Sequence, residues 1–162
     1  MNPASKITAI DQVPALHKFF VKSWGTQHRV FDFGAGKMGK VDEFMRGNTS
    51  GYFPYDPFNR DGMSNQFSLD SIEECNFILC ANVLNVLEEE TLDKTIKELA
   101  DLTRQTLSGF CYISVYHKSS LPKNRQVGNH FQRNELAKWY IPHLKMHFDT
   151  VYLAKGILRC FA

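Results

Sequence analysis

The stretch Val30-Phe31-Asp32-Phe33-Gly34-Ala35-Gly36-Lys37 decides how this chain is read. The β-forming residues up to Phe33 predict a buried strand over 28–33 with an acid near its end. Gly34 and Gly36 then permit backbone conformations, and a close approach by a ligand, that a Cβ would block. Twenty residues beyond Gly36 comes Tyr55-Asp56-Pro57, at the end of an aromatic run, Gly51 to Tyr55, that predicts a second parallel strand. A glycine turn after one strand and an acid after the next is how a parallel α/β sheet grips the ribose of a nucleotide-type ligand. The expectation is a cofactor site built on Asp32, Gly34, Ala35, Gly36 and Asp56.

Outward from this point helices and strands alternate. Val13, Leu16, Phe19, Phe20 and Trp24 have helical spacing over 11–24, with Asp11 as a cap. A short helix over 39–45 leaves the glycine turn and stops at Gly47-Asn48. Asn59-Arg60-Asp61-Gly62 reads as a turn and Gln66 to Leu69 as a weak third strand. Cys75 to Val86 is apolar enough for a central strand, and Thr91 to Leu107 is the clearest helix, with Leu92, Ile96, Leu99, Leu102 and Leu107 along one side. Gly109 to Tyr116 is a further strand, Pro122 to Asn129 a polar loop, and Asn134 to Leu144 a helix interrupted near Pro142. Phe148 to Leu153 and Ile157 to Phe161 flank Lys155-Gly156 as a hairpin. Such alternation predicts a parallel sheet with helices on both faces and one antiparallel strand from the terminal hairpin at or near an edge.

The 162 residues suit one domain, 1–162, with an N-terminal helical extension over 1–27 and a site-covering loop over 117–133. Hydrophobic content of 43% and charged content of 22% are ordinary for a soluble globular protein. No apolar run approaches a membrane span and no basic-then-apolar export signal opens the chain, so a cytoplasmic location and no membrane partner are expected. Cys75, Cys80, Cys111 and Cys160 lie in or beside apolar runs without a Cys-x-x-Cys pair, which predicts reduced, buried thiols and neither a metal nor a disulfide framework. From His117 to Lys145 six bases (Lys118, Lys123, Arg125, Arg133, Lys138, Lys145) meet one acid, Glu135. Such a segment serves either as a contact surface for nucleic acid or another anion, or as an ordinary solvated face.

Three segments carry a family resemblance. Asp32-Phe33-Gly34-Ala35-Gly36 resembles the first motif of class I S-adenosylmethionine-dependent methyltransferases. Tyr55-Asp56-Pro57 matches their second-strand acid in position, and Cys80-Ala81-Asn82-Val83-Leu84-Asn85-Val86-Leu87 resembles their fourth-strand exit. More narrowly, the chain is similar to small methyltransferase-like proteins of phages and bacteria, also through Phe131-Gln132-Arg133-Asn134-Glu135-Leu136 and Lys155-Gly156. The resemblance implies a Rossmann-like three-layer sandwich with a mostly parallel seven-stranded sheet and a C-terminal antiparallel hairpin. It implies S-adenosylmethionine as cofactor and the cytoplasm as location, the host's if the chain is phage-encoded. Gly34, Ala35 and Gly36 would then approach the methionyl part, Asp32 would orient the turn or meet the ammonium group, and Asp56 would accept from the ribose hydroxyls. Asp70 would meet the adenine amino group or cap the helix after it, and Ala81 and Asn82 would lie beside the sulfonium. Tyr116, His117 and His130 become candidates for the acceptor pocket, and Phe131-Gln132-Arg133 for stacking on a planar acceptor.

The chain departs from the pattern in two places. The usual third glycine is Met38, and Gly39 follows, which creates Gly34-x-Gly36-x-x-Gly39, a spacing that also suits a nicotinamide dinucleotide. The acid two residues before Gly34 and the terminal hairpin point away from that alternative. The Asp/Asn-Pro-Pro-aromatic signature of amino-group methylation is missing, Asp56-Pro57-Phe58 being only a partial likeness. The expectation is methyl transfer to an unidentified acceptor. The alternative is a catalytically inactive cofactor-binding protein with a regulatory or interaction role, with nucleic acid as a partner through 117–145.

Overall fold

A computed structural model describes residues 10–127 and 130–162, apart from the side chains of Val127 and His130. In chain order the elements are α1 (Ala15–Trp24), β1 (Arg29–Phe33), α2 (Lys40–Asn48), β2 (Gly51–Tyr55), α3 (Gly62–Asp70), β3 (Phe77–Ala81) and α4 (Glu89–Gln105). They continue with β4 (Phe110–Ser114), β5 (Asn124–Val127), β6 (His130–Arg133), α5 (Ile141–Leu144), β7 (Thr150–Ala154) and β8 (Ile157–Phe161). Six strands form one sheet in the order β2-β1-β3-β4-β8-β7, and β5 and β6 pair separately. β1 pairs in parallel with β2 and β3, and β3 with β4. β8 is antiparallel to both β4 and β7, so it is the reversed strand that the terminal hairpin was expected to supply.

Alternation along the strands divides the core in two. Phe31, Phe33, Ile78, Cys80, Cys111 and Ile113 face α4, where Leu92, Ile96 and Leu99 come at helical spacing. Val30, Leu79 and Tyr112 point the other way, against Leu16 and Phe20 of α1 and Val41 and Met45 of α2. Phe20 meets the rings of Phe77 and Tyr112 edge-on at 5.5 and 6.2 Å. Asp32 lies between Phe31 and Phe33 and therefore shares the α1/α2 face, where it is 1% exposed. A carboxylate so buried requires donors, and α1 and β2 bring them.

The sheet has six strands where seven were expected. Gln66 to Leu69, read as a third strand, belongs to α3. Asp61 caps that helix by accepting from the Ser64 amide at 2.8 Å, Gln66 donates to Asp70 one turn on, and the Ser68 hydroxyl bonds the Pro54 carbonyl at 2.7 Å. Four residues of apolar-polar alternation are too few to outweigh a capped helix docked on β2. Pro54 also marks β2 as an edge strand, since proline has no N–H for a ladder.

Two further expectations change. The polar segment 122–129 contains β5, which pairs with β6 through Arg125↔Gln132 and Gln126↔Phe131. The helix read over 134–144 is a 3₁₀ turn, Ala137–Tyr140, followed by α5, where Pro142 occupies the first turn that tolerates it. The four cysteines are buried, and burial pushes the Cys75 and Cys160 thiols up to about 12.

Candidate functional site

The glycine turn is held by its neighbours atom by atom. Gly34 and Gly36 have φ of 71° and 70°, and a Cβ on Gly34 would stand 2.3 Å from a Val83 methyl. The amides of Gly34 and Ala35 both donate to the Tyr55 carbonyl, at 2.8 and 3.1 Å. The Gly36 amide donates to Asp56 Oδ2 at 2.9 Å. The Asp56 carboxylate also accepts from the Phe58 amide at 2.9 Å, and from the Asn59 amide and side chain at 3.1 Å each. Four donors match the lone-pair sites that a carboxylate offers. Arg60 continues the network, donating from Nε to the Gly36 carbonyl at 2.9 Å and pairing with Asp42, itself bonded to the Gly39 amide at 3.0 Å. The Arg60 and Asp42 side chains are both 5% exposed.

Gly39, the third glycine of the literal spacing, has extended backbone and serves another purpose. A Cβ there would meet the Ile10 carbonyl at 2.5 Å, and the next amide, Lys40, donates to that carbonyl at 2.9 Å. The segment leading into α1 is thereby strapped across the start of α2.

On the other side of the turn, Asp32 Oδ2 receives the Tyr52 hydroxyl and His17 Nε2, the latter at 2.8 Å. Burial, then the charge of Asp32, pushes the Tyr52 hydroxyl well above its ordinary value, so it stays a donor. His17 is 2% exposed, and its Nδ1 has no hydrogen-bond partner among the described residues.

Over the C-terminal ends of β1, β2 and β3 lies a cavity of about 440 Å³. Asp32, Gly34, Ala35, Gly36, Asp56, Ala81 and Asn82, all expected at a cofactor, line it together. Asn82 follows β3 in the left-handed region at φ 60°, a conformation asparagine tolerates better than most residues. Asp70 is elsewhere: it is exposed at the end of α3, where it accepts from Gln66, and Ser71 rather than Asp70 is the cap residue of the turn that follows. Tyr116 and His117 do not line the cavity. Tyr116 is 40% exposed, and His117 lies 3.2 Å from the Asn134 carbonyl beside a separate hollow of about 340 Å³ with Leu136 and Lys138. The His130 side chain falls outside the described residues. Arg133 is drawn inward from the basic segment: it is 4% exposed, pairs with Glu89 at 3.1 Å and lies 4.6 Å over the Trp139 ring.

Among the cavity residues that escaped the sequence reading are Gln12, His17, Thr95 and Glu98. Glu98 comes from α4, where it accepts from the Tyr55 hydroxyl at 3.3 Å and burial raises its carboxyl. Burial, then Glu98, pushes the Tyr55 hydroxyl up to about 12. Asn76, assigned no role from sequence, stitches β1 to the start of β3 by accepting from the Arg29 amide at 2.8 Å. Among the described residues the lining carries three carboxylates, Asp32, Asp56 and Glu98, and neither lysine nor arginine.

No protein-family model matches the chain, and no curated protein matches it in sequence. Among solved structures it is similar to the 1,6-didemethyltoxoflavin-N1-methyltransferase of Burkholderia thailandensis, crystallised with 1,6-didemethyltoxoflavin and S-adenosylhomocysteine. The two superpose with a TM-score of 0.60 at 14% identity, over 99% of this chain and 76% of that one. At such identity the likeness is one of fold: a mixed α/β, Rossmann-like sheet of the kind this methyltransferase has. No helix among the described residues is long and apolar enough to cross a membrane.

Proposed function

We propose that the cavity holds S-adenosylmethionine and that the chain transfers its methyl group to an acceptor admitted over the C-terminal ends of the strands. The charge of the lining carries this reading: three carboxylates, with neither lysine nor arginine among the described residues, suit a ligand with a sulfonium and an ammonium group. The same lining opposes a dinucleotide, whose phosphates need cations or free amides. Here the amides of Gly34, Ala35 and Gly36 are already spent on Tyr55 and Asp56. The fold likeness to a methyltransferase supports the reading, and a volume of about 440 Å³ is within the range of small-molecule sites.

In this reading His17 and Asp32 serve the methionyl end, with Ala81 and Asn82 beside the sulfur. Asp56 shapes the turn and reaches a ribose hydroxyl only by giving up Asn59 Nδ2, the one side-chain donor among its four. Glu98 takes the acceptor role expected of Asp70, offering its carboxylate from α4. When bound, the sulfonium supplies an electrophilic methyl group. The protein contributes alignment of acceptor, methyl and sulfur, with a base needed only if the acceptor must lose a proton. The segment 117–133 is the proposed lip of the acceptor entrance.

The test is a transfer screen with tritiated methyl donor against pools of DNA, RNA, protein and small molecules. Label in one pool is the expected result and names the acceptor class. Donor binding without label in any pool supports the second reading, a cofactor-binding protein without turnover. That reading is favoured by Tyr116 and His117 lying off the cavity. A nucleic-acid acceptor held by the exposed Lys118, Lys123, Lys138 and Lys145 predicts binding that weakens steeply with salt.

A further inference from the structure

We propose that His17 is the seat of the ligand's amino group: Nδ1 accepts a hydrogen bond from the α-ammonium of the bound adenosyl amino acid. This rests on the cofactor reading above and deepens it. A carboxylate only accepts, so the imidazole tautomer that hydrogen-bonds Asp32, 2.8 Å from His17 Nε2, is the one with its proton on Nε2. In the neutral ring Nδ1 then carries the lone pair. Tyr52 donates to the same Asp32 oxygen. The result is an aspartate-oriented imidazole, fixed in tautomer and direction, as in catalytic and metal-binding histidines.

Nδ1 is buried without a hydrogen-bond partner among the described residues, and His17 lines the cavity together with Asp32 and Pro14. A buried acceptor left unpaired costs stability, so its retention on the cavity wall points to a donor in the ligand. The charge around it selects the kind of donor. Asp32 is met by a phenol and an imidazole, and Arg60, the arginine bonded to the turn, is committed to Asp42 and the Gly36 carbonyl. That end of the cavity therefore favours a cationic N–H donor over a neutral hydroxyl. Both hydrogen bonds to Asp32 fall on Oδ2, and the histidine adds an acceptor beside the carboxylate.

The experiment is calorimetric titration with S-adenosylhomocysteine and with 5′-S-(3-carboxypropyl)-5′-thioadenosine, which differs only in lacking the amino group. The wild type should prefer the amine-bearing ligand by about tenfold or more, as expected of a hydrogen bond to a charged group. His17→Gln keeps an N–H for Asp32 but removes the acceptor at the Nδ1 position. It should reduce that preference to about threefold or less. A second readout uses the unaltered protein: the His17 Nδ1 nitrogen-15 resonance should move on adding S-adenosylhomocysteine and stay still with the deaminated ligand. Equal binding of the two ligands by the wild type, a preference that survives His17→Gln, or an unmoved Nδ1 resonance overturns the assignment and leaves the cofactor reading standing. Failure of the folded wild type to bind either ligand overturns both.

Discussion

The turn at Gly34–Gly36 and the segment from Val115 to Leu136 leave the same end of the sheet, yet they are specified differently. The turn is fixed through backbone: two positive-φ glycines, three amides tied to Tyr55 and Asp56, and Arg60 locking the far side. The later segment is held by its own two-stranded β5–β6 ladder and by side chains. Asn134 accepts from the Lys118 amide and donates to the carbonyls of Lys118 and Leu121, while Tyr116 and His117 are exposed. A region meant to hold one ligand in one pose benefits from the first construction. A region that admits an acceptor tolerates the second, because a hairpin outside the main sheet shifts at lower cost than the sheet itself. The contrast also separates the proposed cofactor end from the proposed acceptor end.

This comparison can be broken at several strengths. Asp56→Ala should have the largest effect, since it strands the amides of Gly36, Phe58 and Asn59, and a loss of about 3 kcal/mol or more is expected in urea unfolding. A loss below about 1 kcal/mol would mean that the turn does not depend on that carboxylate. Gly39→Ala should cost about 1–3 kcal/mol, because its methyl would press on the Ile10 carbonyl, whereas Gly62→Ala, with open space around it, should be neutral or slightly stabilising. Equal effects at the two glycines would contradict the strap from residue 10 to α2.

Glu98→Gln should have a smaller, pH-dependent effect. Burial raises the Glu98 carboxyl in the folded state, so the fold holds that proton more tightly than the unfolded chain does. Stability associated with Glu98 is therefore greatest in acid and falls as pH rises through the raised value. The glutamine variant should match the wild type in acid and exceed it slightly at neutral pH, as read by thermal unfolding across that range; the opposite sign would refute the desolvation argument. Least affected should be Tyr116→Ala and His117→Ala, with stability within about 0.5 kcal/mol of wild type and unchanged cofactor affinity in calorimetry. A large loss of cofactor affinity in either would place the 115–136 segment in the cofactor site after all.

What could be read from the sequence follows the same division. Asp32, the paired glycines and Asp56 were legible because backbone conformation and strand ends restrict residue type, and restriction leaves a pattern. The assignment of Asp56 to ribose hydroxyls was less complete: spacing located the carboxylate but not the four donors that fill it. Asp70 was misjudged with the strand expected before it. Asp61 as a helix cap and Pro54 as an edge-strand mark were the signals that pointed to α3 instead. His17 left a faint trace, as a polar residue between Leu16 and Phe20 on the buried side of α1. Glu98 left none, because a charged residue on a long amphipathic helix looks like any solvated position until β2 is packed against it. The β5–β6 pair was hidden by polar strands that bury too little to show alternation.

The central claim is that the cavity is built for a cationic adenosyl ligand. Calorimetric titration of the folded protein with S-adenosylmethionine, and separately with oxidised nicotinamide adenine dinucleotide, tests it most directly. The account predicts one-to-one binding of S-adenosylmethionine and none of the dinucleotide. Binding of the dinucleotide, or no binding of S-adenosylmethionine, would contradict it.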